Sequence, residues 1–127
     1  MVPQLDENKP IFLQIAGWLE DGIISGEYME EEQVPSITEF SLQYKINPAT
    51  ALKGVAILVD SGLLYKKRGV GMFVAKGARE TILMRRRQDF YHSYILPLLD
   101  EAQRVDLSGK ELINLIEKGM INNGDRS

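Results

Sequence analysis

The sequence predicts a mainly α fold with one small β hairpin: a winged helix-turn-helix followed by a short helical C-terminal arm. Three observations support that expectation. Two helix starts lie close together, at Ser36 and Asn47. A glycine-punctuated basic stretch, Lys66 to Gly71, then sits between two short apolar runs. From Ala78 onward, apolar residues recur at helical spacing without strand alternation.

The first helix is expected over Pro10 to Ser25. Pro10 opens it, Ile11, Ile15, Trp18, Leu19 and Ile23 form one stripe, and Gly26 stops it. The stripe reads as core packing, with Trp18 as a core anchor. Glu30, Glu31 and Glu32 follow in what reads as a solvated loop, and Val34-Pro35 is an extended step, because a residue before proline avoids the helical region.

Ser36-Ile-Thr-Glu39 fits a capping box that opens a short supporting helix to Gln43, with Phe40 as its buried aromatic. Asn47 is a good N-cap and Pro48 suits the first helical position, so a second helix is expected over Pro48 to Ser61. A break that short makes the second helix leave at a steep angle, so the first can brace it against a groove. The second helix carries two stripes. Ala51, Gly54, Val55 and Leu58 form one, and Leu52, Ala56 and Val59 the other; one must pack and the other must face something. Asn47, Ala49, Thr50 and Lys53 lie near its N-terminal end, where such helices meet base edges and phosphates.

After Gly62, strands are expected over Leu63 to Lys66 and Met72 to Val74. Gly69 and Gly71 would permit close approach to a phosphate backbone while Lys66, Lys67 and Arg68 supply charge. A solvated basic hairpin is the plainer alternative; its position directly after a helix-turn-helix favours a wing.

The remaining chain, residues 77–127, is expected as a two-helix arm distinct from a winged domain at 1–76. Its first helix carries more apolar surface than a lone terminal helix can hide, including Phe90, Tyr91, Tyr94, Leu98 and Leu99. Pro97 should kink or divide it. Ser108-Gly-Lys-Glu111 is a second capping box, and the tail from Asn122 should fray. The expected role is dimerisation, which would give the reader helices two half-sites. Arg85, Arg86 and Arg87 either touch flanking phosphates or form a solvated face.

Composition limits the alternatives. A chain of 127 residues with 44% apolar and 26% charged content has room for one domain and an appendage, which excludes a catalytic barrel or a doubly wound sheet. Cysteine is absent, removing disulfide and thiolate chemistry. The start MVPQLDENKP lacks a basic-then-apolar signal, and the longest apolar run, Val55 to Val59, cannot cross a bilayer, so a cytoplasmic protein with no membrane partner is expected. His92 and Asp89 are two candidate ligands on one helix face, which do not make a metal site. No phosphate loop, dinucleotide fingerprint or nucleophile with a base can be assembled, so neither a cofactor nor enzymatic activity is expected.

A net charge of -3 should repel a polyanion at long range. Its distribution matters more: Lys45, Lys53, Lys66, Lys67 and Arg68 fall within the motif and the acidic residues gather elsewhere. Double-stranded DNA is the expected partner, bound with moderate affinity and strong salt dependence.

These motifs together resemble the GntR family of bacterial transcription regulators, and its small YtrA-type subfamily. Pro10-Ile-Phe-Leu-Gln-Ile15 resembles the family's opening helix, Val34-Pro-Ser36 its leucine-proline-serine step, Ile46-Asn-Pro-Ala-Thr50 the subfamily's INPNT start, and Arg68-Gly-Val-Gly-Met-Phe-Val74 its RGxGTFV wing. Leu96 to Ala102, with Leu107-Ser108 and Glu111 to Lys118, is similar to the subfamily's short two-helix end. The resemblance implies a dimeric repressor or regulator on an inverted-repeat operator, often beside transporter genes. Thr38 departs from an arginine common at that position, Ala49 from asparagine, Leu52 from a polar residue and Lys45 from glycine.

The residues expected to meet DNA are therefore Ser36, Lys45, Asn47, Ala49, Thr50, Lys53, Lys67, Arg68, Gly69 and Gly71. The expected site for a small-molecule effector is Tyr91, His92 and Tyr94, near the junction of body and tail. The alternative function is a winged-helix protein-protein interaction module docking through Leu52, Ala56 and Val59.

Overall fold

The helix starts predicted at Ser36, Asn47 and Ser108 are found at the residues that cap them. In the computed structural model, which describes residues 6–124, helix α1 spans Ile11–Ser25 and ends at Gly26 in the left-handed conformation. Residues 125–127, the last of the predicted fraying tail, lie outside the described residues. Pro10 offers no side-chain cap. Gln14 Nε2 instead donates to the carbonyls of Asp6 and Lys9, at 2.7 and 2.9 Å, and ties the incoming chain to the first turn.

Helix α2 (Ile37–Tyr44) opens with the predicted box: Glu39 N–H donates to Ser36 Oγ at 3.1 Å, and Ser36 N–H donates to Glu39 Oε1 at 3.0 Å. Helix α3 (Pro48–Asp60) opens on Asn47, whose Oδ1 accepts from Ala49 N–H at 2.8 Å. The turn between them is shorter than the sequence suggested. Tyr44 is still helical and only residues 45–47 intervene, with Lys45 forced to φ 54°.

The two-stripe ambiguity of α3 resolves in favour of Ala51, Gly54, Val55 and Leu58, all buried. Gly54 lets α3 approach α1 closely: a Cβ there would lie 2.9 Å from the carbonyl oxygen of Phe12 and 2.7 Å from Ile15 Cγ2. The core gathers Ile15, Leu19 and Ile23 of α1, Phe40 of α2 and the buried face of α3. Ile11, placed on the core stripe by its spacing, is 42% exposed, because the stripe drifts out of the interface at the helix end.

Strands β1 (Leu64–Lys67) and β2 (Gly71–Val74) pair antiparallel, from Leu64 opposite Val74 to Lys67 opposite Gly71. The acidic loop turns out to be a third edge of this sheet. Glu31 N–H donates to Val74 O at 2.8 Å, Val74 N–H to Glu32 O at 3.0 Å, and Val34 N–H to Met72 O at 2.9 Å. Its side chains stay in solvent as expected, while its backbone completes the ladder.

The chain divides into two units, Met1–Arg85 and Arg86–Ser127. Helix α4 (Ala78–Phe90) begins in the first, where Ala78 and Ile82 join the core, Arg79 Nε donates to Ile24 O at 2.9 Å and Arg85 pairs with Glu20 at 2.6 Å. In the second unit the helix passes through a π-helical turn, Tyr91–Ile95, into α5 (Leu96–Arg104). The π turn lies immediately before Pro97. There Leu96 N–H reaches Tyr91 O, one residue further back than in an α-helix, which accommodates the ring and the donor that proline lacks. Helix α6 (Gly109–Asn123) starts on the second capping box, with Ser108 Oγ accepting from Glu111 N–H at 3.1 Å. Among the described residues no helix is long and apolar enough to cross a membrane.

Candidate nucleic-acid interface

With one face of α3 committed to the core, the opposite face is fixed. Asn47, Ala49, Leu52 and Lys53 are exposed and Thr50 is half-buried. Leu52, half-exposed at 52%, makes this surface more apolar than a groove-reading helix ordinarily is. Lys53 turns sideways: its ammonium lies 4.1 Å from the centroid of the Phe12 ring on α1. In this state Lys53 is held against the aromatic face, worth about 0.5–1 kcal/mol at such a site. Val59 of the alternative docking stripe packs against the core, so Leu52 and Ala56 alone remain for that surface.

At the base of α3, Ser36 and Lys45 are both exposed. Ser36 takes part in its capping box through its backbone N–H, which donates, and through Oγ, which accepts. The backbone and side-chain hydrogen bonds with Ser36 hold the Glu39 carboxyl below its ordinary range. The helix end therefore already carries a negative charge.

The hairpin turn holds Arg68, Gly69 and Val70, with Val70 N–H donating to Lys67 O at 2.9 Å. Gly69 has φ 78° and Gly71 φ 145°, angles that L side chains avoid. Gly71 meets a second constraint, since a Cβ there would collide with the Gln33 amide. Gln33 Nε2 donates to Val70 O at 2.9 Å and so holds the turn from the neighbouring edge. Sequence reading missed Gln33; a lone glutamine before Val34-Pro35 gives no signal of a contact 37 residues away. Lys66, Lys67 and Arg68 are exposed, Lys67 lying 4.4 Å over the Phe73 ring. Phe73 stacks on Tyr65, whose hydroxyl donates to Glu31 Oε2 at 2.8 Å, and that bond raises the Tyr65 pKa. An aromatic row therefore stiffens the strands under the basic turn.

Among the other predicted positions, Arg85 is drawn to Glu20 and Arg87 is exposed. Tyr91, His92 and Tyr94 are all exposed on the π turn, where Tyr91 meets His92 edge-on at 5.5 Å and Tyr94 meets Phe90 at 5.4 Å.

No family model matches the chain. Individual relatives do. The Bacillus subtilis HTH-type transcriptional regulator YhcF, itself described as uncharacterized, is 32% identical over 75 residues, which are 59% of this chain and 62% of YhcF. A crystal structure described as a transcriptional regulator of the GntR family from Bacteroides thetaiotaomicron aligns with a TM-score of 0.70 at 29% identity, covering 89% of this chain and 98% of that one. Both likenesses are to transcriptional regulators, the second of them of the GntR family. The winged body is also similar to the DNA-binding domain of AraR crystallised with operator ORX1, at 29% identity and a TM-score of 0.51 over 59% of this chain and 92% of the AraR domain. The stretch shared with YhcF is somewhat under two thirds of that relative's length.

Proposed function

We propose that the chain is a sequence-specific DNA-binding transcriptional regulator of the YtrA type, a homodimeric repressor on an inverted-repeat operator, with a transporter operon as its setting. The observation that supports this reading best is the pairing of an outward α3 face with a braced basic wing, on a body similar to a domain crystallised with its operator. Ala49, Thr50 and Lys53 read or position from α3, with Lys53 leaving Phe12 to do so. Ser36, Lys45 and Asn47 contact the backbone around the turn, and Lys67, Arg68, Gly69 and Gly71 form the wing contact. Leu52 and Ala49 suit thymine methyl groups better than polar base edges.

The dimer is formed by the second unit. Leu98, Leu99, Ile113, Leu115, Ile116 and Ile121 are each at least 40% exposed, more apolar surface than an independent helical hairpin leaves in water. Tyr91, His92 and Tyr94 are its candidate contacts for a small-molecule effector. A repressor of this design places two reader helices on successive half-sites, about 34–36 Å apart.

Fluorescence anisotropy on the DNA upstream of the chain's own gene, at two salt concentrations, tests the reading. Specific binding should weaken steeply with salt, and Arg68→Ala should reduce the logarithmic salt slope by about one. Binding no tighter than to random duplex at low salt would instead favour the protein-interaction module, docking through Leu52 and Ala56.

A further inference from the structure

Away from the reader helix and the wing, the first unit holds a cavity of about 400 Å³ at the C-terminal half of α1, within the size range of small-molecule sites. Its walls have an unusual chemistry. Trp18, Tyr28, Phe40 and Tyr44 line it together with Asp21 and Glu27. The Trp18 and Tyr44 rings lie 5.5 Å apart and tilted at 41°, and Phe40 meets Tyr44 at 4.6 Å. Phe40 is buried, while Trp18, Tyr28 and Tyr44 are half-buried, so their ring surfaces remain partly open.

The fourth ring is admitted by a specific backbone choice. One edge of the Tyr28 ring lies against Gly22, where a Cβ would come within 2.6 Å of two ring carbons, and Tyr28 N–H donates to Gly22 O at 3.0 Å. Any larger residue at position 22 would push this ring away. Burial first, then the Glu27 carboxylate, push the Tyr28 hydroxyl up to about 12, so it stays protonated beside that charge.

Aromatic faces carry negative potential and attract a cation within about 6 Å of the ring centroid, and carboxylates at the rim add to the same sign. A neutral apolar ligand gains nothing from the Glu27 carboxylate, and an anion is repelled by it. A strongly hydrated metal ion gains little from the rings.

We propose that this cleft binds a free small organic cation of the quaternary or methylated ammonium class. It needs no residue of the reader helix or the wing, so it stands or falls independently of DNA binding.

Trp18 is the single tryptophan of the chain, so its emission reports on the cleft directly. The full chain is titrated with choline and with tetramethylammonium chloride, against sodium chloride at matched ionic strength. The neutral isostere 3,3-dimethylbutanol serves as the uncharged control. Both cations should give a saturable change, with the alcohol at least roughly tenfold weaker. Tyr44→Leu and Glu27→Gln should each weaken the cations by roughly 2- to 30-fold, the span of one cation–π or charge contact. Gly22→Ala should weaken them by displacing Tyr28. Glu27 is exposed, so Glu27→Gln keeps the test available if the other two variants fold poorly. Vesicles of phosphatidylcholine, which present the same ion on a surface, should leave the emission unchanged. No saturable response to either cation, equal binding of the alcohol, an unaltered titration in the folded variants, or a response to vesicles but not to free choline would each overturn the proposal.

Discussion

The two units of this chain solve the problem of hiding apolar surface differently. In the first, fourteen buried hydrophobic side chains from four helices, both strands and the loop positions Val34 and Leu63 form one cluster, and polar groups at the edges are matched to partners. In the second, Ala102 and Leu112 are the buried hydrophobics among the described residues, while Tyr94, Ile113, Leu115, Met120 and Ile121 are more than half exposed. Helix formation itself is equally well specified in both, since each contains a complete Ser–Glu capping box. Local signals therefore fold the arm's helices while their apolar faces stay exposed within the unit, and the proposed pairing of two copies would cover them.

Truncating one leucine in each unit gives the largest expected effect and the sharpest contrast. Leu58 has no exposed surface, so Leu58→Ala should remove about 2–5 kcal/mol from the body's stability in denaturant unfolding, independent of protein concentration. Leu115 is 52% exposed, and in an unpaired arm Leu115→Ala should cost about 1 kcal/mol or less. If the arms pair, the same substitution should weaken association by fivefold or more, read by sedimentation equilibrium. A mass that matches one chain at all concentrations, for wild type and variant alike, would remove the dimer from the proposal.

Glycines offer a second contrast with opposite signs. Gly54→Ala drives a methyl group against the Phe12 carbonyl, a backbone atom that cannot swing aside, so a loss of about 1–3 kcal/mol is expected. Gly119 sits inside α6 with nothing within 4 Å of where a Cβ would stand, so Gly119→Ala should raise helix stability by about 0.5–1 kcal/mol. Thermal melts of both variants decide the signs. Destabilisation by Gly119→Ala would mean that another copy closes over that position and would place it within the pairing surface.

The body and the arm also differ in how far the sequence could be read. Capping chemistry and spacing located the helices that begin at Ser36, Asn47 and Ser108 within a residue, because those signals are carried by neighbours in the chain. Contacts between distant residues were not legible. The Gln33 brace, the third edge of the sheet made by Glu31 to Val34, and the fit of Tyr28 over Gly22 each depend on two segments meeting. Ala78 and Ile82 looked like arm residues by position, yet they close the body's core. The π turn was foreshadowed only as a break at Pro97, since the sequence does not state how the preceding turn will yield. Of the proposed DNA contacts, wing and helix-start positions were readable from glycine and cap placement. The sideways set of Lys53 over Phe12 was not, because it depends on how α1 crosses α3.

A smaller effect is expected where the body accepts backbone strain. Lys45 holds φ 54° and ψ 48° between α2 and α3, a conformation costing about 1–2 kcal/mol for an L-residue, partly offset in glycine by greater unfolded-state freedom. Lys45→Gly should therefore stabilise the body by about 0.5–1 kcal/mol. If Lys45 also contacts phosphate, the stabler variant should bind DNA with a salt slope lower by about one. Gaining stability with no change in slope would remove Lys45 from the interface and leave it as a turn residue alone.

The smallest effect uses the two capping boxes, which have the same geometry in the two units: hydroxyl bonds of 3.1 Å and carboxylate bonds of 3.0 Å in each. Hydrogen bonds with Ser36 and Ser108, backbone first and side chain second, hold the Glu39 and Glu111 carboxyls below their ordinary range. A carboxyl lowered on folding adds stability that is complete above its unfolded value and is lost as pH falls through the lower folded value. Acidification through that window should shift the Ser36 and Ser108 amide resonances together, and Glu39→Gln or Glu111→Gln should abolish the shift at its own site while keeping the cap. The consequences should differ between the units. Loss of the Glu39 charge should register in the body's global unfolding, because α2 is locked into the core through Phe40. Loss of the Glu111 charge should register in association if the arms pair, and only as local fraying of α6 if they do not. Acid-dependent dimer mass that Glu111→Gln flattens would tie the arm's helix cap to its pairing; an unchanged mass profile would show that α6 can loosen without the pairing noticing.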